Sequence, residues 1–193
     1  RVEVTAPLHL SARLVGFELL VDGVRLHEPD PYRTGRVRHP VYLGPGTHEL
    51  VVRGSNQRGP PSVRFARASG PLQPNLQDVT RPDLLSGETA QAPLGVHVLN
   101  TSGRALSEVD AVVLESELFA TTARRQAPLP AGAVTATAFD LVSKGPIPAG
   151  VDTATLTLGL QARELSRLYT FELALPMTAR DRSVRRTFIS GID

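Results

Sequence analysis

Residues 17–26 read FELLVDGVRL and residues 41–53 read VYLGPGTHELVVR, and these two stretches decide the fold. Apolar and polar side chains alternate in both, as they do in strands that bury one face. A turn dipeptide interrupts each stretch, Asp-Gly at 22–23 and Pro-Gly at 45–46. Asp-Gly between apolar flanks is typical of a tight β-hairpin. The stretches therefore predict an antiparallel β domain in which the two dipeptides belong to different turns.

Length and composition extend this prediction to the whole chain. The 193 residues are enough for one large domain or, as we favour, two of about 70 to 120 residues each. Frequent glycine and proline, 16 of each, separate short elements, as is typical of all-β proteins. Tryptophan and cysteine are absent. Their absence excludes disulfides and thiolate metal sites, and the scarcity of aromatic platforms argues against carbohydrate stacking.

Charge gives little evidence for a nucleic-acid partner. The net charge is only +2, although residues 1–70 carry four more basic than acidic residues. Arg33, Arg36 and Arg38 form a small basic cluster in the loop over 27–40. A nucleic-acid interface needs basic residues on one face with side chains that read bases between them, and the cluster lacks the latter. We therefore predict a solvated loop there and no nucleic-acid partner.

The first part of the chain resembles a known family. The matching positions are VDG, Pro31-Tyr32, Leu43, GTHELVVR, Asn56, Gly59 and a closing VRF. Together, over about residues 5–68, they resemble the bacterial Ig-like domains found in tandem on secreted enzymes and surface proteins. The resemblance implies a sandwich of about seven strands. Because there is neither a Cys pair nor a Trp, an antibody-like core is excluded. We assign residues 1–70 to this domain.

Residues 71–81 are rich in turn formers and weak in apolar periodicity, so we predict a linker there. A second Ig-like sandwich is predicted over 82–176. Within it, residues 106–125 fit either a helix capped by Ser107 or a strand followed by a loop, and we favour the strand.

Two similar stretches of sequence support the prediction of a second sandwich. Residues 129–141 and 147–160 each place Pro-Ala-Gly before a threonine-rich alternating run, and 168–175 alternate as a closing strand. With DLL and VHVLNTSG, these runs resemble a cell-adhesion-related bacterial (CARDB-like) domain. The whole chain is thus predicted to be all-β, as two tandem antiparallel Ig-like β-sandwiches.

Candidate chemistry is sparse. His27, Glu28, Asp30 and His39 lie in one loop and are residue types that bind divalent cations, although a solvated turn explains them better. Asp152 opens an Asp-Thr-Ala triplet like that of retroviral aspartic proteases. Those enzymes need two such carboxylates, and this chain has one triplet. We therefore predict no catalytic residue, no metal site and no cofactor in this chain.

The loop residues remain the binding candidates: Tyr32, Arg33, Arg36 and Arg38.

The C-terminal segment, 177–193, is predicted to lead into a further domain. Its last nine residues, RRTFISGID, resemble the entry to the catalytic domain of secreted α/β-hydrolases of the esterase and prolyl-oligopeptidase type. The chain opens on RVEVTAPLHL, without a Met or an apolar leader, and has no long apolar run, so we expect a mature or trimmed segment without a membrane span.

Three functions are compatible with these observations. The first is a non-catalytic Ig-like region that spaces, orients or targets a neighbouring hydrolase or surface domain of a secreted bacterial protein, at an extracellular, cell-surface or periplasmic location. The second is an adhesion module that binds polysaccharide or protein. The third, a metal-dependent or aspartic hydrolase, has the least support.

Overall fold

The computed structural model describes residues 1–15, 17–26, 36–54 and 62–178. These residues form antiparallel β-sheets and no helix, so the predicted all-β fold of two tandem Ig-like sandwiches is confirmed. The strands of the first sandwich are β1 (Val2–Val4), β2 (Leu8–Val15), β3 (Phe17–Val21), β4 (Val24–Arg25), β5 (His39–Leu43), β6 (Gly46–His48), β7 (Leu50–Gly54) and β8 (Ser62–Arg67).

Three small sheets build this first sandwich, with strand orders β5-β2-β8, β4-β3-β7 and β1-β6. Their inner faces enclose a small apolar core in which Ala12 and Leu19 are fully buried. Ala12 lies opposite His39 on one side and Phe65 on the other, which fixes the register of the β5-β2-β8 sheet.

The two stretches that predicted the fold meet in one sheet. Strand β3 pairs antiparallel with β7, placing Leu19 opposite Val52. Asp22 and Gly23 connect β3 to β4 with φ values of 51° and 77°. Two consecutive residues with positive φ match the type I′ turn that suits a right-twisted hairpin. The Asp-Gly prediction is therefore confirmed, and the two dipeptides do belong to different turns.

The Asp22 carboxylate links this turn to the chain before β7. One of its oxygens lies 2.7 Å from Nδ1 of His48, and the other accepts the N–H of Glu49 at 2.8 Å. The second ring nitrogen of His48 lies 2.8 Å from the carbonyl oxygen of Gly44. Both ring nitrogens thus face acceptors. Only the imidazolium has an N–H on each nitrogen, so the charged ring satisfies both contacts.

The second sandwich has strands β9 (Leu72–Thr80), β10 (Gln91–Asn100), β11 (Val109–Val113), β12 (Thr122–Gln126), β13 (Val134–Val142), β14 (Thr153–Ala162) and β15 (Tyr169–Pro176). They form two sheets with strand orders β13-β10-β9 and β12-β11-β14-β15. The core between them is larger than the first. It contains Phe119 and Phe139, both fully buried, and the Phe139 ring meets Phe171 edge-on at 5.9 Å between centroids.

Most predicted elements of this sandwich are observed. Residues 106–125 give strand β11, a loop and the start of β12, so the strand interpretation is confirmed and the helix is wrong. The two Pro-Ala-Gly turns introduce β13 and β14, and the predicted closing strand is β15. In contrast, the residues assigned to a linker over 71–81 form β9, which pairs with β10. These residues are therefore part of the β13-β10-β9 sheet of the second sandwich.

The Asp22–His48 contact predicts a pH-dependent contribution to stability. The hydrogen bond with Asp22, and then the Gly44 carbonyl, raise the pKa of His48, while the same bond and the Glu49 N–H lower the pKa of Asp22. A histidine whose pKa is raised by folding stabilises the fold fully below its unfolded-state pKa, and this contribution is lost as the pH rises through the raised pKa. An aspartate whose pKa is lowered by folding stabilises the fold above its unfolded-state pKa, and this contribution is lost as the pH falls through the lowered pKa.

The His48→Gln substitution should therefore lower the melting temperature more at about pH 5.5 than at about pH 9. Thermal unfolding followed by circular dichroism at both pH values measures this. In an Asp22→Asn background the same substitution should lose most of its pH dependence. The nearby Glu49 and Arg1, whose charged groups lie 4.0 Å apart, are left unchanged in every variant. Equal losses at both pH values in the parent background would contradict the imidazolium assignment.

The packing of the second core predicts a large effect for a single truncation. Leu158 is completely buried in β14, so Leu158→Ala should lower the free energy of unfolding by about 2–5 kcal/mol. Val24, in contrast, is 68% exposed, and Val24→Ala should change the same quantity by no more than about 0.5 kcal/mol. Urea denaturation measures both values. Similar values for the two variants would show that Leu158 does not lie in a packed core.

Candidate functional site at the domain junction

The outer face of the β5-β2-β8 sheet is the surface on which the second sandwich rests. Side chains alternate along a strand, so Ser11 points away from the core that contains its neighbour Ala12. Ser11 is nevertheless only 2% exposed. It lines a small cleft of about 260 Å³ together with Asn75 and Leu99 of the second sandwich. The middle of strand β2 is thus covered on both sides.

One end of the junction is an aromatic contact. The imidazole of His9 is hydrogen-bonded to the carbonyl of Thr101 and lies 5.1 Å from the Tyr42 ring, centroid to centroid. Gly103 approaches the same tyrosine so closely that a Cβ atom at this position would lie 2.9 Å from its ring carbons. Gly103 also has a φ of +74°, a conformation that favours glycine.

The connection between the sandwiches is short and held from both sides. Only residues 68–71 separate β8 from β9. The Ala68 N–H donates to the carbonyl of His9 at 2.9 Å. Thr101 donates its hydroxyl to the Gly70 carbonyl at 2.6 Å and its N–H to the Pro71 carbonyl at 2.9 Å. The connecting residues therefore bond to the first sandwich at one end and to the second at the other.

A bulge in β9 supplies the other end of the junction. Asn75 pairs with His97 and Val79 with Val96, so the three residues over 76–78 have no partner on β10 and stand out of the ladder. Such bulges redirect side chains. Just before the bulge, the amide of Asn75 donates to the carbonyl of Arg36 at 2.7 Å.

Two side chains of the bulge make the remaining contacts. The side-chain amide oxygen Oε1 of Gln77 accepts a hydrogen bond from the Arg38 guanidinium at 2.9 Å. Asp78 lies 3.1 Å from Nδ1 of His97, so this pair is an ion pair when the histidine is protonated.

These contacts surround a polar cleft with a volume of about 490 Å³, lined by Val37, Arg38, His39, Asn75, Asp78, His97 and Val134. Burial, and to a lesser extent the charge of Arg13, lower the pKa of Arg38 from its ordinary high value, and the group stays protonated at neutral pH. The cleft thus combines a fixed cation, a carboxylate and an amide. It is suited to hydrogen bonding, and the described residues that line it include no nucleophile with a paired base.

The predicted binding residues divide between described and undescribed parts of the chain. Arg36 and Arg38 lie at the junction, where they bond to β9, whereas a solvated loop was predicted for them. Tyr32 and Arg33 lie outside the described residues, as do the C-terminal residues that resemble a hydrolase entry.

The predicted cation set is described only in part, because His27, Glu28 and Asp30 lie outside the described ranges. His39 is 3% exposed and lines the junction cleft. Within the described ranges no three His, Asp or Glu side chains converge as metal ligands. Asp152 is exposed ahead of β14, and its backbone carbonyl accepts the N–H of Met177 at 2.8 Å.

No helix that is long and apolar enough to cross a bilayer occurs in the described part of the chain.

Four junction residues were not identified from the sequence: Tyr42, Asn75, Gln77 and Gly103. Asn75 and Gln77 lie in the segment interpreted as a linker, since the bulge removes the alternation that marks a strand. Gly103 follows Asn-Thr-Ser in the sequence, a composition that indicates a turn and no particular contact. No local signal marks Asn75 and Gln77, because the bulge interrupts the alternation by which one face of a strand is recognised.

Comparisons with known proteins show partial structural similarity to glycoside hydrolases. No protein family matches the chain, and no curated protein matches it. An exo-chitosanase from Amycolatopsis orientalis aligns with a TM-score of 0.47 and 14% identity, over 89% of this chain and 24% of that one. A β-glucuronidase from Bacteroides uniformis gives 0.46 and 13%, over 91% and 25%. A β-glucuronidase from glycoside hydrolase family 2 gives 0.42 and 12%, over 90% and 22%.

The chain therefore spans about a quarter of the length of these enzymes.

The close approach of Gly103 to Tyr42 predicts a junction-specific effect. Gly103→Ala combines an unfavourable φ with a clash, whereas Gly132→Ala has a similar φ of +67° and no atom within 4 Å of the new methyl group. Both should lose about 1–2 kcal/mol through the backbone, and Gly103→Ala should lose a further 1–3 kcal/mol, roughly, through overpacking. Chemical denaturation measures the difference.

Adding Tyr42→Ala should remove the extra loss in Gly103→Ala but not the loss in Gly132→Ala. If both glycine variants are equally destabilised, Gly103 and Tyr42 are not in contact and the junction is packed differently.

Proposed function

We propose that this chain is a non-catalytic region of a larger protein, in which two Ig-like sandwiches form a stiff unit that holds a neighbouring domain in a fixed orientation. The observation that carries the proposal is the junction. Its connecting segment is four residues long and hydrogen-bonded to both sandwiches. A region that only tethered its neighbour would not need such a junction, because a flexible linker does this without ordering any residues.

The junction contacts are distributed so that they resist both bending and twisting. The aromatic contact of His9 and Tyr42 with 101–103 lies at one end, and the bonds from Asn75 and Gln77 lie at the other. Each hydrogen bond contributes about 0.5–1.5 kcal/mol net. Rotation about either end therefore breaks contacts at the opposite end, which favours one relative orientation.

The neighbour and the setting are further parts of this proposal. A hydrolase or surface domain as neighbour is supported by the resemblance of RRTFISGID to the entry of secreted α/β-hydrolases. The bacterial setting, at the cell surface or in the periplasm or medium, is supported by the resemblance of residues 5–68 to tandem bacterial Ig-like domains. Neither sandwich has a role in chemistry under this proposal.

Distance measurements between spin labels test the stiffness directly. Because the chain has no native cysteine, Val24→Cys and Glu117→Cys place one label on each sandwich at exposed positions. Pulsed electron–electron double resonance should give one narrow distribution of distances between the two labels. Adding Asn75→Ala and Gln77→Ala should broaden it, because these changes remove the bonds to Arg36 and Arg38.

Gln126→Ala is the matched control, since this amide bonds only within the second sandwich, to the carbonyls of Arg124 and Ala138. It should leave the distribution narrow. A broad distribution in the parent chain would contradict the orienting role. Turnover of a glycoside, ester or peptide by the isolated chain, abolished by one substitution, would contradict its non-catalytic nature.

A further inference from the structure

Strand β8 is the end strand of the β5-β2-β8 sheet, and among the described strands nothing pairs with its edge away from β2. Every second residue of an end strand points its N–H and C=O groups away from the one partner strand. The six residues of β8 contain no proline and pair with β2 without a break in register. The backbone of β8 is therefore able to pair with a further strand.

The inner side of this edge carries an apolar side chain that the core leaves uncovered. Phe65 is the register partner of Ala12, and opposed residues of paired strands point to the same face. Ala12 is fully buried in the core of the first sandwich, yet Phe65 is 41% exposed. Val63, two residues earlier and hence on the same face, packs against that core. The core thus ends at β8 with an exposed aromatic ring.

The outer side of the same edge is cationic. Arg64 points to the face opposite Phe65, where its register partner is another cation, Arg13. Like charges at opposed positions destabilise a sheet. Arg67, the last residue of β8, is exposed, as is Arg64. Within the described ranges no carboxylate lies at ion-pair distance from either of these two arginines.

These charges argue against a second copy of this chain as the partner of the edge. Pairing of two β8 strands would place the arginines of one copy beside those of the other. Charged side chains on end strands are a means by which proteins prevent such self-association. The same charges attract a strand that carries carboxylates.

We propose that the β8 edge binds an extended acidic segment of a protein partner, which adds to the sheet as an antiparallel strand, like the other pairs of this sheet. Strand addition of this kind derives affinity from main-chain hydrogen bonds and specificity from side chains at alternate positions. The occupant is a polypeptide, because a backbone with N–H and C=O groups at strand spacing satisfies those of β8.

The side chains of β8 define the sequence pattern of the partner. Apolar residues face Phe65 and Val63, one carboxylate faces Arg64 on the outer side, and a second carboxylate faces Arg67. In antiparallel pairing this pattern reads Glu-x-Val-Glu-Val from the N-terminus of the partner. The surface does not depend on the orienting role proposed above, because β8 belongs to the first sandwich alone.

A synthetic peptide of this pattern, TETVEVT, tests the proposal on the whole chain. Followed by NMR, titration of the peptide into the isotope-labelled chain at low salt should give saturable shifts of the β8 amide signals. The affinity should fall as added salt screens the contacts between carboxylates and arginines. Two control peptides should bind about tenfold more weakly: TKTVKVT, which has lysine in place of glutamate, and VVEETTT, which lacks the alternation.

Charge reversal at Arg64 is the most specific variant, because this exposed side chain takes no part in the core. Arg64→Glu should weaken binding of TETVEVT about tenfold and strengthen binding of TKTVKVT. Arg81→Glu, at an exposed arginine of the second sandwich, is the matched control and should leave both affinities unchanged. Phe65→Ser should also weaken binding of TETVEVT, whereas Val24→Ser, at another exposed apolar position, should not.

Hydrogen exchange distinguishes strand addition from attraction between side chains alone. Bound TETVEVT should protect the β8 amides and leave those of β15, another end strand, unchanged. The proposal is overturned by equal binding of TETVEVT and TKTVKVT, by equal losses in Arg64→Glu and Arg81→Glu, by binding without protection of β8, or by no saturable binding. Dimerisation of the parent chain in sedimentation velocity that Phe65→Ser abolishes would overturn it in favour of a second copy.

Discussion

Burial of both faces of β2, the central strand of the β5-β2-β8 sheet, is the constraint on which the rest of the structure depends. One face closes the small core of the first sandwich, and the other carries the second sandwich. Within the described part of the first sandwich the buried cluster has six residues, which is modest for an independent domain. Covering Ser11 and packing Tyr42 against Gly103 adds buried surface that the first sandwich lacks by itself. Stability and inter-domain orientation therefore have a common source.

The sequence contained enough local information to predict most strands. Alternation and turn dipeptides depend on residues close together in the chain, so the Asp-Gly dipeptide of FELLVDGVRL was interpreted correctly as a tight turn. The segment over 72–80 was misinterpreted because three of its residues leave the ladder and break the alternation. What specifies that bulge is its contact with Arg36 and Arg38, 39 residues away.

The residues of the candidate site could likewise be predicted only where the information is local in the sequence. A basic loop is visible in the sequence, and Arg36 and Arg38 were identified from it. The partners of these arginines are not visible in the sequence, because pairing across 39 residues depends on how the two sandwiches pack against each other. The opposition of Arg13 and Arg64 likewise appears only once the register of β2 and β8 is known. Sequence alone gives the residue types, and the register determines which of them meet.

The core explains why the repulsive arginine pair persists. A slip of one residue between β2 and β8 would separate Arg13 from Arg64, but it would also change which residue faces Ala12 and Leu14. Arg64 would then turn to the inner face, where Val63 packs against the apolar core in the observed register, and moving a charge toward that core costs more than the repulsion between two charges at the surface. The register is thus decided by burial on the inner face, and Arg13 and Arg64 remain opposed on the outer face.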